Sequence, residues 1–412
     1  MSPKDMKLYH PATFDQGFPH EYFAYLRRED PVHWQEPAAP GEKNFDMTQG
    51  FWALSRYDDL VHVSRRPKTF SSWRGLVFLW DMDEDMLQLQ RMNLLNLDPP
   101  EHVRYRGLLN RGFTPRMVKM LEPRICAYAT RVVDAVAKRG ECDFVTDLAA
   151  ELPLILICEL VGIPDEDRHK IFNWSNAMIG HSDPEYGDDD PAIPMQAATE
   201  LYMYAAELAQ KKLDKPDDTL ISVLLHGDID GYKLTTDEFN QFMVLLSVAG
   251  NETTRNATSQ GMRLLDANPD QFELLKSDLD RYLPGAIEEI VRCAPPVMQF
   301  RRTATEDTEI RGVKIRENDK VVMYYSSANR DEDIFENPNK FDITRNPNPH
   351  VSFGIGEHFC LGANLARMQL TCIFKEVFSR LPDIHVVQPP RLLFSNFIDG
   401  IKEMRVEFTP EN

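Results

Sequence analysis

The sequence predicts a mainly α-helical fold with small β-sheets, and three observations carry that expectation. Helical apolar spacing dominates from about Glu101 to residue 285. Inside that stretch, Asp237 to about Leu265 reads as one helix of roughly 29 residues, about 43 Å long at 1.5 Å per residue. Beyond it the pattern changes to short alternating or β-branched runs.

In chain order, the first hundred residues mix strand-like runs, such as Phe51 to Ser55, with short helices, and Asp98-Pro99-Pro100 breaks the chain before a helix starting near Glu101. Two acidic stretches bearing Gly and Pro interrupt the helical half. These are His181 to Pro194, with Asp188-Asp189-Asp190, and Gly227 to Lys233. Both read as solvated loops, with a mobile lid over a cleft as the alternative for the first. The long helix opens on a Thr235/Glu238 capping box and stops at Asn268-Pro269, and its apolar sides around Phe242 to Ala249 send it through the middle of the molecule. Thr308 to Ile315 and Lys320 to Tyr325 then read as two strands joined by a turn at Glu317-Asn318-Asp319, followed by irregular chain to Val351. No internal repeat or low-complexity linker divides the sequence, so residues 1–412 are expected to form a single domain.

Charge and cysteine usage bound the function. The chain of 412 residues carries 46 Lys+Arg against 65 Asp+Glu, a net charge of −19, with 42% hydrophobic and 27% charged residues. That is a folded, acidic protein, and the balance argues against broad binding of nucleic acid or anionic lipid. The apolar runs fall short of the ~20 residues that span a bilayer, and the first residues lack the apolar core of a signal peptide, so no membrane is expected and the cytoplasm is the expected compartment. Six scattered cysteines argue against a disulfide scaffold or a structural zinc site. Cys126, Cys142, Cys158, Cys293 and Cys372 read as small buried hydrophobes.

Cys360 departs from that default. It sits in Phe353-Gly354-Ile355-Gly356-Glu357-His358-Phe359-Cys360-Leu361-Gly362, just before a helical pattern from Ala363 to Phe378. Glycines allow tight turns and close approach to a flat group, while free N–H groups and the helix dipole are expected to lower the thiol pKa. A dinucleotide loop is excluded, because Phe359 stands where a third glycine is needed and no Val/Ile-rich strand precedes. A second constellation, Ala249-Gly250-Asn251-Glu252-Thr253-Thr254, lies inside the long helix. A glycine and a hydroxyl within one turn can open the helical hydrogen-bond ladder and leave a notch. A third, Glu289-Ile290-Val291-Arg292, pairs opposite charges three residues apart.

Together these segments, over nearly the whole chain and in order, resemble the cytochrome P450 family of haem-thiolate monooxygenases. The resemblance implies the P450 fold, with haem b (iron protoporphyrin IX) between the long helix and the cysteine loop. It implies that Cys360 is the proximal iron ligand, a thiolate that favours O–O cleavage. It makes the Gly250 region the oxygen-binding groove, with Thr253 holding oxygen and its water and Glu252 relaying protons. Glu289, Arg292 and Arg345 become a buried structural network beneath the haem. His102 and Arg106, four apart on one helical face, join Arg302 and His358 as contacts to the haem propionates, while Arg301 reads as a solvated charge. Glu357, between Gly356 and His358, is a departure that bears on partner docking or haem potential.

By the same resemblance, pocket walls come from Trp73 to Leu87, Met178 to Gly180, Val244 to Ala249, Pro295 to Phe300 and Phe394 to Ile398. Phe78, Leu79, Trp80, Val248, Ala249, Val297, Met298, Phe397 and Ile398 are the candidates, and they favour a hydrophobic substrate. The wording of several segments is similar to bacterial members that hydroxylate terpenoids, branched lipids or sterol side chains. The leading expectation is a monooxygenase using O2 and electrons from a small ferredoxin with its ferredoxin reductase. A basic run of Arg104, Arg111, Arg116 and Lys119, with Arg367, is the expected docking face. The alternatives are a peroxygenase driven by H2O2, a non-catalytic haem sensor, and a carrier of hydrophobic ligands.

Overall fold

The computed structural model of the chain describes residues 6–39, 42, 47–110, 113–187, 190, 192–217, 219–228 and 231–412. The first part contains α1 (His20–Glu29), β1 (Val32–Gln35), β2 (Phe51–Leu54), α2 (Tyr57–Ser64), β3 (Phe70–Ser71), α3 (Glu84–Gln90) and α4 (Glu101–Asn110). A helical half follows: α5 (Pro115–Asp134), short β4 (Glu141–Asp143), α6 (Glu151–Val161), α7 (Arg168–Ile179), α8 (Ala192–Asp214), α9 (Leu220–Leu225), α10 (Thr236–Asp266), α11 (Pro269–Ser277) and α12 (Leu279–Cys293). The last part holds β5 (Gln299–Ala304), β6 (Thr308–Ile310), β7 (Val313–Ile315), β8 (Lys320–Tyr324), α13 (Tyr325–Ala328), α14 (Ala363–Arg380), β9 (His385–Val386), β10 (Arg391–Leu392), β11 (Ile401–Glu403) and β12 (Arg405–Glu407).

The architecture is mainly helical with small sheets, as the sequence predicts. α10 spans 31 residues, about 46 Å at 1.5 Å per residue. Its capping box is present in both directions: the Glu238 N–H donates to Thr235 Oγ1 at 3.2 Å, and the Thr235 N–H donates to the Glu238 carboxylate at 2.8 Å. α5 starts on a Thr114 cap followed by Pro115, whose fixed φ suits a first helical turn. α10 runs through the main core, packing against α6, α7, α8, α12 and α14. The described residues of both acidic stretches fall between helices, except that α8 begins at Ala192 within the first; Asp188 and Asp189 lie outside the described residues.

Two sequence expectations need correction. The segment Thr308 to Ile315 is a tight hairpin, β6 against β7, because Arg311 and Gly312 both take positive φ (50° and 83°), the geometry of a two-residue hairpin turn. β8 is therefore not its partner. It lies instead in a five-stranded sheet of order β1-β2-β8-β5-β3, parallel to β2 and antiparallel to β5. The second correction concerns Cys126 on α5 and Cys372 on α14, which are joined in a disulfide and are not independent buried hydrophobes. α5 and α14 pack along each other, and that packing brings together cysteines 246 positions apart.

Candidate active site

Cys360 enters a cavity bounded by its own loop, the N-terminal end of α14 and the middle of α10. The loop is folded back on itself, with the Cys360 N–H donating to the Phe353 carbonyl at 2.8 Å. Gly354 and Gly356 take φ of 71° and 76°, and a Cβ on Gly356 would lie 2.7 Å from the Ser64 carbonyl at the end of α2. A Cβ on Gly362, by contrast, would meet nothing within 4 Å and would project into the cavity. Cys360 is accessible from the cavity, but the surrounding protein desolvates it and pushes its thiol pKa up. The Gly362 N–H, Arg106 and Arg367 pull in the other direction without overcoming that burial. The lowered thiol pKa expected from the sequence is thus reversed in the protein alone.

Across the cavity, α10 presents a stripe of Phe242, Leu245, Leu246, Ala249, Gly250 and Thr253. Thr253 Oγ1 donates to the Ala249 carbonyl at 2.7 Å, and α10 continues as a helix through this turn. The space spared by Gly250 is filled from outside the helix: a Cβ there would stand 2.5 Å from Ile157 Cδ1 of α6. Glu252 is not on the wall. One residue along a helix is a turn of about 100°, and that rotation buries its carboxylate on the α7 side. There it pairs with Arg255 and lies 3.4 Å from both Ser175 Oγ and Asn251 Nδ2. Arg255 in turn donates to Asn176 Oδ1 at 2.8 Å. Burial pushes the Glu252 carboxyl pKa up, with Arg255 opposing it.

One polar side of the cavity is cationic or neutral-basic throughout. His102, Arg106, Arg302 and His358 all line it, and among the described lining residues there is no carboxylate. The His102 and His358 rings lie 4.2 Å apart, and His358 Nε2 reaches Ser72 Oγ at 3.2 Å. Neither ring nitrogen of His102 has a protein partner although the residue is buried. Burial, followed by Arg106 and Arg302, pushes its pKa down to about 4. Arg302 donates to the Arg301 carbonyl at 2.8 Å, and Arg106 to the carbonyls of Glu357 and Phe359. Such a side leaves donors free for an anionic group.

Glu289, Arg292 and Arg345 come together away from the cavity wall. Arg292 makes a two-pronged contact with the Glu289 carboxylate at 2.7 and 2.8 Å, and Arg345 Nε lies 3.2 and 3.3 Å from the same two oxygens. Asn348 and the Asp342 N–H supply two further donors to Glu289, at 3.0 and 2.9 Å. Arg292 also holds the carbonyls of Asn329 and Pro338, tying α12 to the irregular chain before the cysteine loop.

The proposed pocket residues divide. Ala249 and Val297 are on the wall. Phe78, Phe397 and Ile398 form an apolar layer packed with Val297 and Phe300, with Phe78 and Phe300 each edge-on to Phe397 at 5.7 and 5.6 Å. Trp80 stacks on Phe78 at 5.1 Å, outside the wall. Leu79 and Met298 are buried in a different core beside Phe23, Val322 and Tyr324. Val248 is half-buried and rotated off the wall from Ala249. Missing from the expectation were Phe242, Ile157, Leu94, Leu95 and Phe113, whereas Leu245 and Leu246 fall within the expected segment Val244 to Ala249. The helical spacing of 242, 245, 246, 249, 250 and 253 carries the α10 contribution, whereas nothing local marks Leu94 or Leu95. The basic run is also altered. Arg104, Arg116 and Lys119 are exposed and Arg111 lies outside the described residues, but Arg367 pairs with Glu288 at 2.6 and 2.9 Å and covers the Phe353 ring at 4.3 Å. Arg301 is buried against Asp81 at 3.4 Å and is not a solvated charge.

A family model described as Cytochrome P450 matches residues 194–390. The steroid C26-monooxygenase of Mycolicibacterium smegmatis is 43% identical over 411 residues, covering 97% of this chain and 94% of that protein. The chain belongs to the cytochrome P450 family. A methyl-branched lipid omega-hydroxylase of Mycobacterium bovis is 41% identical, with coverage of 94% and 90%. Among solved structures, a Mycobacterium marinum cytochrome P450 in complex with pseudoionone superposes with a TM-score of 0.88 at 40% identity, covering 94% of each chain. This P450 is accordingly a haem b-dependent monooxygenase, an oxidoreductase acting with O2 on a hydrophobic substrate. The residues present fit haem b: open space in front of Gly362, a cysteine on the same wall, and buried His102, with neither ring nitrogen partnered, beside Arg106 and Arg302, which would suit the two carboxylates that a porphyrin carries. Among the described residues, no helix is long and apolar enough to cross a membrane.

Proposed function

We propose that this P450 hydroxylates the terminal methyl group of a branched aliphatic chain, on a steroid or a methyl-branched lipid, with electrons delivered by a small ferredoxin and its reductase in the cytoplasm, the whole of residues 1–412 acting as one haem domain. The overall change is R–H + O2 + 2 e⁻ + 2 H⁺ → R–OH + H2O. Haem b held through a cysteine thiolate supplies the O2 activation. Cys360 is the iron ligand, and His102, Arg106, Arg302 and His358 hold the propionates. Glu289, Arg292 and Arg345 keep the chain beneath in place. Thr253 spends its proton on the Ala249 carbonyl and so turns its lone pairs to the cavity, where they orient the water that delivers protons. Glu252, one residue back and buried with Arg255, is the proton reservoir behind the helix. Exposed Arg104, Arg116 and Lys119 receive the acidic donor.

The observation that carries the reading is the joint presence of Cys360 and Thr253 on opposing walls of one cavity that is largely apolar apart from its His102, Arg106, Arg302 and His358 side. Support for the substrate class comes from the relatives, whose names specify C26 of a steroid and the omega position of a methyl-branched lipid. Each describes the end of a branched hydrocarbon chain. The test is a titration of the haem-loaded protein with a steroid bearing an aliphatic side chain, a methyl-branched fatty acid and a terpenoid, followed by turnover with ferredoxin and reductase or with H2O2 alone. The first two ligands should convert the ferric Soret band from low to high spin and yield terminally hydroxylated product only with the ferredoxin system. No spin shift with either, or equal turnover with H2O2 alone, would sink the proposal.

A further inference from the structure

α14 begins three residues after Cys360, and α5 packs along it. The Cα atoms of Cys126 on α5 and Cys372 on α14 lie 4.9 Å apart, and their sulfurs are bonded. The other cysteines stand apart: Cys142, Cys158 and Cys293 are buried as free thiols, and Cys360 faces the cavity. The paired residues differ in exposure. Cys372 is buried in the core, whereas Cys126 is only partly buried on the outer helix. A partly exposed cysteine backed by a buried one is an arrangement suited to thiol–disulfide exchange.

We propose that Cys126 and Cys372 form a reversible redox site, a dithiol in a reducing compartment that a low-molecular-weight disulfide closes, fastening α5 to the helix that follows the thiolate loop. Cys126, as thiolate, attacks one sulfur of the small disulfide, forming a mixed disulfide and releasing one small thiol. Cys372 then attacks the Cys126 sulfur, forming the protein disulfide and releasing the second small thiol. The two protein thiols lose two electrons, the small disulfide gains them, and the two protons leave on the released thiols. Closure restricts the unfolded chain across a separation of 246 residues, so the oxidised form is the more stable one. The proposal uses neither haem chemistry nor the substrate.

The test equilibrates haem-loaded protein with reduced or oxidised glutathione, then denatures and alkylates it for peptide mapping while a parallel sample is melted. Oxidation should remove two of the six thiols, yield a Cys126–Cys372 cross-linked peptide, and raise Tm by about 2–5 °C, reversibly with dithiothreitol. Cys126→Ser, and Cys126→Ala as a second replacement at the partly exposed position, should melt at the same temperature in both buffers. Unreacted thiols, a cross-link between other cysteines, or equal Tm for oxidised and reduced wild type would overturn the proposal. The reduced carbonyl spectrum, recorded on the same samples, reports Cys360 ligation separately.

Discussion

At the scale of single residues, Cys360 and Thr253 lie on opposite walls of the cavity, and each has its own signature. Cys360→His exchanges a thiolate for an imidazole that donates less charge to iron. The reduced carbonyl complex should then lose the red-shifted Soret band of thiolate ligation, and product formation should fall below detection; a variant that keeps the band would remove Cys360 from its role. Thr253→Ala deletes the hydroxyl that bonds the Ala249 carbonyl without touching the cavity's apolar surface. Substrate binding should persist while product per electron pair falls by about tenfold, within the range of a lost proton-transfer group, and H2O2 rises in proportion. Unchanged coupling would count against it. The sequence names Thr253 and Glu252 together, and only the helical rotation separates them. A local motif carries residue types; the side of the helix each occupies depends on what packs around it, here Ser175 and Asn176 of α7.

Among the elements, α10 was the most legible, since its capping box and its Pro269 stop are local signals and its 31 residues lie close to the expected span. β6 and β7 were not. Their turn demands positive φ at Arg311, a conformation that a bulky side chain rarely adopts, so only Gly312 marks it in the sequence. The α5–α14 disulfide was equally hidden, because proximity across 246 residues is a product of packing and leaves no mark in spacing. One glycine in α10 has a packing role that the motif around Gly250 overshadowed. A Cβ on Gly261 would lie 2.5 Å from Phe374 Cζ of α14 and 3.0 Å from Ile290 Cδ1 of α12. Gly261→Val should therefore force these helices apart and destabilise by about 1–3 kcal/mol, although valine is the better helix former. Denaturant unfolding of the haem-loaded variant measures this, and a stability equal to or above wild type would mean that the crossing yields at no cost.

For the whole molecule, composition gave the acidic balance but concealed where the positive charges lie. Arg27, Arg301, Arg302, Arg330 and Lys320 are all buried, although a count of charged residues reads them as surface. Around His20 this has a consequence for pH. Its Nδ1 has no partner, and burial, reinforced by Arg330, Arg27 and Arg263, pushes its pKa down to about 2 from an ordinary 6.5. Below pH 6.5 the unfolded chain binds a proton that the folded chain refuses, so stability falls as pH falls, by at most about 1.4 kcal/mol per pH unit for this group. Glu288 acts in a lower window. Burial alone would raise its pKa, but hydrogen bonds from Arg367 and His350 outweigh that and hold it at about 2, against an ordinary 4.5. The stability it contributes is present above pH 4.5 and lost as pH drops from there towards 2. The two windows separate the groups: between pH 6.5 and 5, His20→Gln should melt with a shallower dependence on pH than wild type, whereas Glu288→Gln should lower Tm yet keep the wild-type slope. Melting curves at half-unit intervals from pH 7.5 to 5 decide it, and a His20→Gln slope equal to that of wild type would show that the buried imidazole takes up its proton in the folded protein after all.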